Sequence, residues 1–163
     1  MERYAEQREE AKKKIGIADH MLITTYPLVK DPKLLITILE NVLQALEAGI
    51  GSVLEHELLY KQIPPFGKTV EGQFSMFRKE IVRKYSLNEK DIRMIMEIRE
   101  LMHGHKQSAM EFVRKGSVVL SDDQYNVKKL DPVKVRDYIV RSKAFLEQLS
   151  ALTTKNDTMY RRR

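Results

Sequence analysis

The segment Ile98-Arg99-Glu100-Leu101-Met102-His103-Gly104-His105-Lys106-Gln107-Ser108 holds two of the chain's four histidines. They stand at the end of an otherwise apolar helical pattern. Arg99 lies four residues before His103 and six before His105. Arginine is a permanent cation whose planar donor fork suits a phosphate. Histidine moves a proton near neutral pH. Together they form a minimal set for cleaving RNA without a metal. His103 shares nearly one helix face with Arg99. His105 falls about 120° away on a regular helix of ~3.6 residues per turn, unless Gly104 ends the regular part and turns the backbone. Other readings of the same residues stay open. His105 sits near the apolar stripe and suits a hydrogen-bonded core position. Arg99 can pair with Glu97, Glu100 or an acid of the second helix. His103 and His105 form an H-x-H pair, but no carboxylate stands at ligand spacing, so neither a metal nor another cofactor is expected.

Composition bounds the setting. The 163 residues fit one domain with a sizeable core. There is no cysteine, which removes disulfides, thiolate catalysis and cysteine-ligated metal sites. The residues Met1-Glu2-Arg3-Tyr4 lack a signal-peptide core. The apolar region Leu34 to Leu59 is broken by Glu40, Asn41, Gln44, Glu47 and Glu55, so no membrane span is expected there. A cytoplasmic setting follows as the expectation.

The net charge of +6 is unevenly spread. Residues 31–60 carry Lys33 against Asp31, Glu40, Glu47, Glu55 and Glu57. Residues 61–90 carry Lys61, Lys68, Arg78, Lys79, Arg83, Lys84 and Lys90 against Glu71, Glu80 and Glu89. A basic segment beside an acidic one suits an anionic partner such as nucleic acid. The expected contacts are Arg78, Lys79, Arg83 and Lys84 on the third helix, then Lys106, Arg114 and Lys115.

The elements that must position these residues read as an all-α, up-and-down bundle of about five helices, with a small β-hairpin before the last helix. The first helix spans about Glu2 to Tyr26 and ends at Pro27. Asp31-Pro32 opens the second, which runs to about Lys61 and is apolar on more than one face, as a central helix is. Its small residues Ala45, Ala48, Gly49 and Ser52 allow two backbones to approach, within the bundle or across a homodimer. The third helix covers about Thr69 to Tyr85, with Val70, Phe74, Phe77, Ile81 and Val82 inward. The fourth begins near Glu89. Ser117 to Leu120 and Tyr125 to Val127 pair as a hairpin. Asp131-Pro132 repeats the cap signature and opens a fifth helix, to about Thr153. The domain therefore covers 1–153, and 154–163 reads as a basic, disordered tail.

Arg99 and His105, on the penultimate helix of a small bundle, resemble the R-x4-6-H motif of the HEPN superfamily. The segment Thr25-Tyr26-Pro27-Leu28-Val29-Lys30-Asp31-Pro32-Lys33-Leu34-Leu35 is similar to small archaeal helical proteins. The HEPN resemblance implies a bundle of four to five helices that dimerises near the Arg–His motif. It implies either a metal-independent endoribonuclease or a non-catalytic RNA-binding module, in some members a toxin held by a protein partner. In the catalytic version Arg99 would hold the scissile phosphate and His105 would move the proton of the 2′-hydroxyl or the leaving oxygen. The product would be a 2′,3′-cyclic phosphate. Glu100 stands where active members often carry a small polar residue.

Overall fold

The computed structural model describes residues 2–107, 110–114, 116–121 and 127–162, and for 105–107, 110–114, 121 and 127 the backbone alone. Lys115, Tyr125 and Asn126 and the side chains of His105, Lys106 and Arg114 thus lie outside the described residues.

Helix α1 (Arg3–His20) passes through a π-helical stretch (Met21–Thr25) into the short α2 (Tyr26–Val29). Pro27 does not stop the helix. It stands where the π-helical stretch passes into α2, and the helix runs on through it. The stop comes at Lys30, whose φ of 53° lies in the left-handed region. Asp31 then accepts a hydrogen bond from the Lys33 N–H at 3.0 Å, and α3 (Leu34–Leu59) follows. Helix α4 (Val70–Met76) is capped by Thr69, whose hydroxyl accepts from the Gly72 N–H at 3.0 Å. It continues as a second π-helical stretch, Phe77–Val82. Helix α5 spans Glu89–Gln107 and α6 spans Pro132–Arg161. The Asp131 cap is as expected, accepting from the Lys134 N–H at 2.8 Å, an interaction worth about 1 kcal/mol.

Five helical rods and a small antiparallel sheet thus make an all-α bundle. Helix α3 is its axis. Tyr4 of α1 meets Ser52 near the end of α3, and Asn41 near the start of α3 meets Met21, so α1 and α3 are antiparallel. The pairs Tyr4–Asp157 and Asp19–Lys143 set α6 antiparallel to α1 as well. Among the described helices α3 alone is long and apolar enough to cross a bilayer. Its Leu35, Ile38, Leu39, Val42, Leu46, Val53 and Leu54 are instead buried against the other helices. The small-residue stripe is used within the chain. A Cβ on Gly49 would stand 2.4 Å from Leu146 Cδ2 of α6, and one on Gly51 would stand 2.9 Å from the Gln7 amide of α1. The Ser52 hydroxyl donates to the Tyr4 carbonyl at 2.8 Å.

Three further sequence expectations change. The sheet has three strands in the order β1 (Met110–Arg114), β2 (Ser117–Ser121), β3 (Val127–Leu130), one more than expected. Val118 and Leu120 of β2 are buried on one side and Val119 is half-buried, the two-residue alternation of a strand with one covered face. Val70 is exposed at the first turn of α4 rather than inward. The last helix does not end at Thr153. Residues 154–161 continue α6, with Asn156 and Tyr160 buried.

Candidate nucleic-acid interface

Helix α5 is helical through Gly104 to Gln107. The turn that would swing His105 back toward Arg99 is therefore absent, and the two backbone positions stand about 120° apart around the axis. His103, one turn beyond Arg99 on nearly the same face, is exposed.

Arg99 points at α4. Its guanidinium carbon lies 4.4 Å from the centroid of the Phe74 ring, a cation–π contact. Its Nη2 lies 3.6 Å from Glu71 Oε1. That partner is neither Glu97 nor Glu100. Glu97 accepts from the Tyr138 hydroxyl at 2.7 Å and pairs with Lys134, and Glu100 pairs with Lys128. Glu97 is pulled up by burial but down by more through those hydrogen bonds, so its carboxyl stays below its ordinary range. Tyr138 is pushed well above the usual phenol range by burial and by Glu97. The Arg99–Glu71 pair is loose: the Glu71 side chain is 83% exposed and that of Arg99 24%. Exposed pairs of this kind are worth little, so Glu71 leaves Arg99 available to another anion.

Arg99 opens into a cleft of about 490 Å³ between α4 and α5, lined by Glu71, Phe74, Ser75, Arg78, Lys79, Val82, Glu89 and Arg99. Three cations, the two carboxylates of Glu71 and Glu89, and a hydroxyl thus meet around one recess, with positive charge in excess. Two of the cations, Arg78 and Lys79, stand on the second π-helical stretch. A π turn holds more residues than an α turn and recurs at functional sites. Propensity does not announce it, so the sequence offers no sign of how this turn directs its side chains.

Of the expected contacts, the structure brings Arg78 and Lys79 to Arg99 and leaves Arg83 exposed on the next turn. Lys84 has a different post. Its Nζ pairs with Glu57 at 2.8 Å and donates to the Tyr160 hydroxyl at 3.0 Å. Burial pulls its ammonium down, and the bonds to Glu57 and Tyr160 outweigh that and hold it above the usual lysine range.

Lys84 leads to a second cluster that sequence reasoning missed. Glu57 is 1% exposed. It accepts from Lys84, from the Tyr85 hydroxyl and, at 3.4 Å, from the Tyr160 hydroxyl. Asn156 donates to the Tyr85 oxygen at 2.7 Å. Burial, then the bond to Glu57, pushes the Tyr85 phenol far above its usual range, so it stays a donor. Beside it His56, also 1% exposed, packs among Tyr4, Tyr60 and Tyr160. Neither of its ring nitrogens hydrogen-bonds a described residue. Asp157 lies 3.8 Å from Nε2 and accepts from the hydroxyls of Tyr60 and Tyr4 at 2.7 and 3.0 Å. The available signal was His56-Glu57, a titratable pair inside the most apolar helix of the chain. The cluster clamps the end of α6 to α1 and α3.

No protein-family model, curated protein or solved structure matches this chain.

Proposed function

We propose that the protein binds RNA through the cleft between α4 and α5, with Arg78 and Lys79 on the phosphates and Arg99 as the third cation of the site. The carrying observation is the convergence of the neighbours Arg78 and Lys79 with Arg99, some twenty residues on, around one open recess. The resemblance of the Arg99 motif to HEPN proteins supports RNA as the polyanion. Binding is preferred to cleavage because the regular course of α5 sets the Arg99 and His105 positions about 120° apart.

Fluorescence anisotropy with a short labelled RNA tests this reading. Wild-type protein is expected to bind at low salt and to weaken steeply as salt rises, by counterion release. The double reversal Arg78→Glu, Lys79→Glu is expected to cost on the order of 100-fold or more, because it removes two phosphate partners and adds two repulsions. Lys84 is left in place, since its loss would disturb the Glu57 cluster rather than the cleft. Glu71→Gln is expected to tighten binding several-fold by removing a carboxylate that repels phosphate at the mouth of the cleft. No binding by the wild type at low salt would end the proposal. RNA fragments ending in 2′,3′-cyclic phosphate, lost in Arg99→Ala, would replace binding with cleavage.

A further inference from the structure

Arg99 brings a plane as well as a charge. Phe74 is buried and lies under the guanidinium, 4.4 Å from ring centroid to guanidinium carbon. A phenyl ring this close to a guanidinium restrains its position. Glu71 meets one edge of it at Nη2. The guanidinium still lines the recess, with Arg78 and Lys79 on the same wall. A flat cation with a supported face is a platform on which a nucleobase stacks. The recess of about 490 Å³ has room for one base and its phosphate. Arg78 and Lys79 line the same recess and are the cations available to the flanking phosphates of that nucleotide.

A duplex hides its base faces within the stack and offers only its ridge of phosphates. A single strand offers both face and phosphate. We infer that the cleft selects single-stranded nucleic acid by stacking one unpaired base on the Phe74-supported guanidinium of Arg99, while Arg78 and Lys79 hold the adjoining phosphates. This inference rests on the cleft being the RNA site and adds the strandedness of the ligand.

The discriminating variant is Arg99→Lys, which keeps the charge and removes the plane. The probes are a single-stranded RNA 12-mer, its duplex and an inorganic polyphosphate of matched charge. A copy of the single strand with 2-aminopurine at successive positions reports stacking directly. The wild type is expected to bind the single strand about tenfold or more tighter than the duplex or the polyphosphate. It should also change the fluorescence of one 2-aminopurine position. Arg99→Lys is expected to bind all three probes about equally, with affinity for polyphosphate retained and the fluorescence change lost. Phe74→Leu keeps an apolar side chain in the core, so it should stay folded and lose much of the same selectivity. Equal wild-type affinity for single strand and duplex would overturn the inference, and so would selectivity that survives in Arg99→Lys. Either result leaves the electrostatic binding site standing. Failure to bind any of the three probes would remove the site itself. Equal affinity for single-stranded DNA and RNA would support the stacking platform and show that the 2′-hydroxyl is not read.

Discussion

Glu57→Ala is expected to lower the unfolding free energy by about 3 kcal/mol, the scale on which removing one partner of a buried pair destabilises. The carboxylate receives Lys84, Tyr85 and Tyr160 from two other parts of the chain. Lys84 is partly exposed and can turn its ammonium to water. The hydroxyl of Tyr160 sits at a buried residue and has less freedom, so its lost partner costs about 1–3 kcal/mol. Glu57→Gln keeps an acceptor for the hydroxyls and loses the charge, so its loss should be smaller. Urea denaturation followed by far-ultraviolet circular dichroism measures both. A loss under about 1 kcal/mol for Glu57→Ala would mean that water replaces the carboxylate and that the cluster is not a clamp.

The second large effect is on acid sensitivity. Burial holds the His56 imidazolium pKa below the ordinary 6.5, against the upward pull of Glu57 and Asp157 and with the help of Arg8 and Lys84. The rings of Tyr4, Tyr60 and Tyr160 complete its surroundings. The folded state therefore takes up this proton at lower pH than the unfolded chain does. Stability from His56 is fully present above about pH 6.5 and falls as the pH drops below it. The slope approaches about 1.4 kcal/mol per pH unit until the folded-state value is reached. Asp157 adds a later phase. Burial raises its pKa, but the bonds from Tyr60 and Tyr4 hold it below the ordinary 3.8. Its contribution is present above that value and lost as pH falls through the folded one. Urea midpoints between pH 7.5 and 4.5 should fall in wild-type protein and stay nearly flat in His56→Phe, which keeps an aromatic ring in the tyrosine cage. A flat wild-type profile would show that His56 takes up its proton at the same pH in the fold as in the unfolded chain.

Much of the helical frame was legible because local signals and the core agree. Asp131-Pro132 reads as a cap and is one. The apolar spacing of Val135, Tyr138, Ile139, Phe145 and Leu149 reads as a helix face, and that face is buried. The end of the same helix was not legible. Residues 154–161 carry few apolar side chains, and Asn156 and Tyr160 owe their burial to partners 71 and 75 or more positions away. Pro27 misled for a related reason. A proline argues against the helical turn before it, and the π-helical stretch from Met21 to Thr25 carries the chain past it. In the site, charge drew attention to Arg78, Lys79 and Arg99, but the Phe74 platform and the Glu71 edge depend on how α4 crosses α5. No spacing rule within one element contains that crossing.

The long reach from Glu57 to Tyr160 also sets a clock on synthesis. The two residues are 103 positions apart. A ribosome adding roughly 5–20 residues per second needs about 5–20 s to cover that distance. Over that interval α3 has emerged with its apolar face, while the helix that meets Gly49 through Leu146 and brings Tyr160 to Glu57 has not been completed. Helix α1 already lies against α3 by then, but the face of α3 that meets α6 stays uncovered until α6 is made.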